Sequence, residues 1–354
     1  MKQQRIESLT GLRAVAAIWV IWFHAMGSSS VWYLDNFLRR GYTGVDLFFV
    51  LSGFVISYVY ADKMKVFSWK GYHAFIRKRF IRIYPSYLSV LLLTLAIILI
   101  VGYFLNSDYN TKNYSVSGFF MQLFMLSGLG IGNPHQWNYV SWTVSSEFAA
   151  YLCYPIFAVY FSRLNSKYSV LAIGLMFLLC FTMAFYINDG RYYFLEGPWT
   201  LSRIFSEFIM GILIYNIYKD EKYRKVAAKL LYPALMILIA SSFIKNEIVT
   251  GFMVLSYCLI ILSLASNSDS LISKCLSVRP LVYLGEISYS TYLVQALVLT
   301  FVSRISSKIP VLNRYFDDNF YSYPICNIVI SCLAGAFFYR YVESFFYKKL
   351  NKRK

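Results

Sequence analysis

Ten stretches of this chain are apolar for about the length needed to cross a bilayer, roughly 20 residues. They are 10–27, 44–60, 84–105, 143–161, 169–187, 200–218, 230–244, 249–265, 282–302 and 324–341. Within them apolar residues run consecutively instead of alternating, which excludes a porin-like barrel. Composition agrees, with 58% hydrophobic and 14% charged residues, against about 45–50% and about 25% in soluble domains. The expected fold is all-α: a polytopic membrane bundle of about ten transmembrane helices, in one domain over 1–354 with no appended soluble domain. No internal repeat or low-complexity tract stands out.

The segment 118–132 is apolar too, but short and glycine-rich, and charge decides whether it crosses. If it does not, and the N-terminus is inside, the inside segments hold 25 of the 34 Lys and Arg residues. If it crosses, the cluster at 219–229 and the C-terminal tail fall outside, against the positive-inside tendency. Both termini are therefore expected in the cytoplasm, with 118–132 re-entrant or interfacial. The net charge of +17 is read as this orientation signal and not as a nucleic-acid surface, because no basic stretch is interleaved with exposed aromatics. Residues 2–27 imitate a signal peptide, yet they carry an arginine and a histidine that a disposable leader does not need.

The cysteines, Cys153, Cys180, Cys258, Cys275, Cys326 and Cys332, form no CxxC pair. Neither a disulfide framework nor a metal site is expected. His24, His73 and His135 are too scattered for a metal motif.

Ionisable residues inside spans are costly and are functional candidates by default. Here they are Arg13, His24, Asp46, Glu147, Arg203, Glu207, Glu286 and Glu343. Eleven residues separate Arg13 from His24, which leaves them about 20° apart on one helix face and roughly 16 Å apart along the axis. They are either a polar stripe ending at a titratable imidazole, or a snorkelling arginine and a capping histidine. Asp46 opens the second span, where it could orient an imidazole or simply complement the helix dipole. Arg77, Lys78, Arg79 and Arg82 lie within six residues at a cytoplasmic mouth. Guanidinium groups match phosphate oxygens, although positive-inside anchoring covers part of the cluster. Glu147 lies inside its span and should face the bundle interior, as a catalytic group or as a packing hydrogen bond. Ser288, Tyr289, Ser290, Tyr292 and Gln295 give a further internal polar face, which interhelical hydrogen bonding alone could explain.

Taken in order, these features resemble acyltransferase family 3, the bacterial membrane O-acyltransferases. The matching residues are Arg13 with His24, GVDLFFVLSGF at 44–54, RKRFIRIYP at 77–85, WTVSSE at 142–147 and GEISYSTYL at 285–293. The resemblance implies a multi-pass protein of the bacterial cytoplasmic (inner) membrane. It implies acetyl-CoA as a cytoplasmic acyl donor and an acceptor handled at the outer side, a hydroxyl of a surface polysaccharide or its lipid-linked precursor. The family's essential histidine falls on His24, its partner arginine on Arg13, its basic cluster on Arg79 and Arg82, and its glutamate on Glu147. The expected site is thus His24, Asp46 and Glu147 for catalysis, with Arg13, Arg77, Arg79 and Arg82 on the donor. Gln295 departs from the family, where a histidine often stands. The alternative reading is a secondary transporter or flippase for a lipid-linked sugar, which would also have buried charges and about ten spans.

Overall fold

The computed structural model describes residues 5–26, 34–64, 66–105, 113–188, 197–244 and 246–351. Among them every regular element is a helix. The chain enters through α1 (Glu7–Ala25), α2 (Leu34–Arg39), a 3₁₀ turn at Arg40–Thr43 and α3 (Gly44–Tyr60). Next come α4 (Trp69–Leu105), α5 (Val116–Leu123), α6 (Ser141–Phe161) and α7 (Ser166–Asn188). The second half holds α8 (Thr200–Lys219), α9 (Glu221–Ala227), α10 (Leu231–Phe243), α11 (Val249–Ser266) and α12 (Leu271–Leu276). It closes with α13 (Arg279–Lys308), α14 (Pro310–Asp318), α15 (Ser322–Phe338), a π turn at Tyr339–Glu343 and α16 (Ser344–Asn351).

By length and composition, eight of the described helices can cross a membrane, and the bent pair α9–α10 makes nine. The remaining expected span, 282–302, lies within α13. That helix has 30 residues, about 45 Å at 1.5 Å per residue, but its internal polar face keeps it outside the apolar set. Span limits agree within a few residues except at α4, which starts at Trp69 and carries the arginine cluster on helix instead of loop. Pro85 sits inside α4 without ending it, because neighbouring helices can re-satisfy the backbone groups that a proline frees.

The segment 118–132 does not cross. The Trp137 backbone N–H donates to the Asn113 carbonyl at 2.9 Å, so the chain returns to the point it left. Ser115 Oγ donates to Gln136 Oε1 at 2.7 Å, and buried Gln122 donates through Nε2 to the Asn138 carbonyl at 3.1 Å. Side chains thus satisfy an irregular backbone buried in protein.

Two close helix pairs organise the bundle. In one, α3 and α8 run parallel: Gly211 abuts Val50, Phe54 packs on Tyr215, and Tyr58 on Tyr218. A side chain at Gly53 would collide with the Phe208 carbonyl, and one at Gly211 with the Val50 carbonyl. Two glycines therefore set the contact distance, as small residues do between membrane helices. Gly53→Leu is expected to destabilise the fold by at least about 1–3 kcal/mol, read as a lower midpoint and less folded protein in a detergent thermal melt. In the other pair α1 also lies parallel to its partner: Arg5 meets Glu286 at the start of α13, while Arg13 shares a cavity with Tyr289 and Tyr292 further along. Arg5 and Lys348 line one cavity, which puts the start of α1 and the C-terminal helix at the same end of the bundle.

Candidate active site

Two adjoining cavities open from that shared end. The outer one has a volume of about 530 Å³ and the inner one about 90 Å³. Arg13 and Arg82 line both and so mark the passage between them. Arg13 comes from the second turn of α1, and Arg79 and Arg82 from one face of α4. The Arg79 guanidinium lies 5.1 Å from the Tyr60 ring, 5.7 Å from Phe75 and 5.8 Å from Tyr151. An aromatic cage of this kind holds a cation in place while leaving its hydrogens free for an anion.

Two carboxylates balance these three arginines in part. Glu147 accepts hydrogen bonds from Ser52 and from Tyr151, one turn further along α6. Glu343, on the π turn, accepts from Ser290 at 2.8 Å and lies within electrostatic reach of Arg82 and Arg13. Tyr289 donates to the Ile83 carbonyl at 2.7 Å, tying α13 to α4 beside the arginines. The chamber keeps an excess of positive charge in a low-dielectric place, which suits a phosphate-bearing ligand. The far wall of the inner cavity includes Phe48 and the pair Thr143–Tyr292, whose hydroxyls are hydrogen-bonded at 2.9 Å.

Arg77 does not join this chamber. It is exposed and donates to the Leu350 carbonyl at 3.1 Å, fastening the C-terminal helix to α4. The reason is helical: Arg77 lies about 200° around α4 from Arg79, on the opposite face.

His24 lies at the other end of α1, on the Arg13 face. Its ring packs on Tyr139 at 5.0 Å, edge to face, and on Phe23 at 5.1 Å. His135, from the re-entrant segment, is its electrostatic neighbour. Among the described residues neither Asp46 nor Glu147 is hydrogen-bonded to the imidazole. Glu147 belongs to the arginine chamber. Asp46 belongs to a buried charge cluster on the α3–α8 pair, with its Oδ1 3.6 Å from Arg203 Nε, while Glu207 Oε1 lies 3.8 Å from the same nitrogen. The Arg203 guanidinium in turn sits 5.8 Å from the Trp142 ring. All three charged groups are buried. Asp46→Ala strips a partner from a buried cation and is expected to destabilise the protein by about 3–5 kcal/mol. Thermal unfolding should show this as less folded protein, with the pH profile of the surviving fraction unmoved.

Sequence reasoning named Glu343 only as an intramembrane acid and did not single out Ser52 or Tyr151. Tyr151 had a signal, its i+4 spacing from Glu147. Ser52 and Glu343 reach the chamber from elements distant in sequence. Among the described residues no group of three His, Cys, Asp or Glu side chains is placed to hold a metal ion.

Comparison with known proteins fits this architecture. O-acetyltransferase OatA from Staphylococcus aureus strain NCTC 8325 / PS 47 is 25% identical over 388 residues, covering 97% of this chain and 57% of the relative. OatA from strain COL matches to the same extent. The chain thus spans little more than half the length of these relatives. No solved structure matches it. The sequence pattern of the acyltransferase-3 family, described as an acyltransferase domain, matches residues 6–340. That covers nearly the whole chain, including Arg13, Arg79, Arg82 and Glu147 of the arginine chamber, so the protein belongs to this family of acyltransferases.

Proposed function

We propose that this protein is a membrane O-acetyltransferase that moves an acetyl group from cytoplasmic acetyl-CoA to a hydroxyl of a surface polysaccharide or its lipid-linked precursor. The observation that carries the reading is the pairing of an arginine-lined chamber at one end of α1 with an imidazole on the same helix face at the other. Arg13, Arg79 and Arg82 hold the donor's phosphates at the chamber mouth, where Glu343 and Glu147 fix their orientation. The donor's extended arm runs along α1 and covers the roughly 16 Å of helix between Arg13 and His24. His24 takes the proton of the acceptor hydroxyl as its oxygen bonds to the thioester carbonyl. The tetrahedral centre then collapses, the carbon–sulfur bond breaks, and the thiolate leaves and is protonated. Alignment of the two reactants contributes along with the base. A variant route passes the acetyl group through His24 nitrogen first, and single-turnover labelling of His24 separates the two.

Charge supports one orientation in the membrane. Arg5, Lys348 and Lys349 gather at the chamber end, which by the positive-inside tendency supports a mouth on the cytoplasmic side of a bacterial inner membrane. The relatives are O-acetyltransferases by name, which supports acetyl as the group moved. The test uses protein in lipid nanodiscs with acetyl-CoA and a surface glycan. Release of the CoA thiol, with a mass gain of one acetyl on the glycan, is the expected result. Acceptor-independent thiol release alone, or none, overturns the reading.

A further inference from the structure

The arginines at the passage account for a donor's linked phosphates and leave most of the outer cavity unassigned. Its volume of about 530 Å³ lies in the range of about 300–1,000 Å³ that encloses a whole drug-sized ligand. Its walls differ in character. Arg13, Arg82 and Lys348 line it from α1, α4 and α16, whereas Phe54, Tyr58 and Val59 present one face of α3, as their spacing dictates. Tyr58 is the fixed member of that face. Its ring lies parallel to Phe54 within 14° at 6.2 Å, and meets Tyr215 and Tyr218 edge to face at 6.2 and 6.0 Å. Three rings thus set its orientation, while the half-buried Tyr58 keeps the rest of its surface on the cavity. Tyr347 of α16 also lines the cavity, but it is 45% exposed, and among the described residues no other ring packs on it. Ser52 lines the inner cavity, and Tyr58 stands six residues along α3 from it, about 9 Å nearer the mouth.

We propose that the outer cavity is a nucleotide subsite, in which the donor's adenine stacks on Tyr58 and its ribose 3′-phosphate faces Lys348. The inference rests on the transferase reading above and deepens it: the donor is selected by its base, and a thioester on a protein-bound pantetheine arm, which carries no base, is a poor substitute. The order of groups follows the donor's own chain. With its pyrophosphate at Arg13 and Arg82, the acyl arm points inward and the adenosine points outward, to the level of Tyr58. A purine gains most from a flat ring that is already held in place, because little side-chain freedom is lost on stacking. Arg5 is already paired with Glu286, so Lys348 is the rim cation for the remaining phosphate. An ammonium on a flexible stem suits a phosphate at an exposed rim.

The test titrates adenosine 3′,5′-bisphosphate and inorganic pyrophosphate into the full chain in nanodiscs, by calorimetry. Each probe carries two phosphates, and only the first carries a base. The nucleotide is expected to bind about 10–100-fold tighter, the usual worth of one stacked base. Tyr58→Leu should erase that difference and leave pyrophosphate binding in place, whereas Tyr58→Phe should keep it. A variant that weakens both probes together overturns the stacking role. Lys348→Gln should weaken the bisphosphate about threefold and leave adenosine 5′-monophosphate unchanged; equal weakening of both nucleotides removes Lys348 from the subsite. Photolysis of 8-azidoadenosine 3′,5′-bisphosphate on the unaltered protein should label α3 within 54–59, a location that needs no variant to fold. Equal affinity for the two probes, or label confined to other elements, overturns the subsite. Nucleotide preference without any thiol release from acetyl-CoA supports the subsite and removes the transferase reading. Thiol release and transfer with equal affinity for both probes removes the subsite alone.

Discussion

Replacing His24 by alanine is expected to lower acetyl transfer by about 10²–10⁴-fold, the usual worth of a positioned general base. Affinity for acetyl-CoA should change little, because the arginines proposed to hold it sit at the opposite end of the bundle from His24. The measurement is turnover of the purified variant in nanodiscs beside calorimetric donor binding. The plain alternative, a histidine that only caps the last turn of its helix, predicts a modest change in melting temperature and near-normal turnover. Activity within threefold of the unaltered protein would favour that alternative and remove His24 from the mechanism. The pH profile adds a second reading: a base must be neutral to act, so transfer should rise as pH passes upward through the imidazole's titration. His24→Ala should abolish that rise in the residual rate.

The second large effect is expected at Arg82. Arg82→Ala removes a cation that lines both cavities of the chamber. One charge-assisted hydrogen bond is worth about 1.5–3 kcal/mol, so the KM for acetyl-CoA should rise about 10–100-fold, with a smaller change in kcat. Arg82→Lys should recover only part of this, since an ammonium lacks the fork that matches two phosphate oxygens. Arg77→Ala is the informative contrast. Its guanidinium is exposed and engaged with the C-terminal helix, and its loss should move the donor KM less than about threefold, as for other exposed charges. If Arg77→Ala and Arg82→Ala weaken the donor equally, the cluster acts as a diffuse field and the chamber is not the donor site.

How far the sequence reached depends on the range of the signal. Hydropathy and the positive-inside count are read within single helices and loops, and they located the spans and kept 118–132 from crossing. The common face of Arg13 and His24 is likewise a property of one helix. Two expectations differ from the arrangement in the structure, each for its own reason. The cluster at 77–82 was placed at a loop mouth before a span starting at 84, so the helical rotation that turns Arg77 away from Arg79 and Arg82 was not applied. Once α4 is known to begin at Trp69, that rotation follows from the spacing. Asp46 was matched to an imidazole because carboxylates commonly orient one. Its neighbours Arg203 and Glu207 come from α8, brought alongside by the contact of Gly53 with Gly211, and no local pattern announces that register. The same holds for Glu343, which reaches the arginines only because the chain passes through a π turn before α16.

The hydrogen bond between Thr143 and Tyr292 narrows the way from the arginine chamber toward His24. Tyr292 is seven residues along α13 from Gly285, which abuts Thr10; at 1.5 Å per residue it therefore stands roughly 10 Å beyond that level, about a third of the way from Arg13 to His24. Any group that reaches from the arginine chamber toward His24 along this face must therefore pass the contact between α6 and α13, and the width of that contact limits what can approach the imidazole from the chamber side.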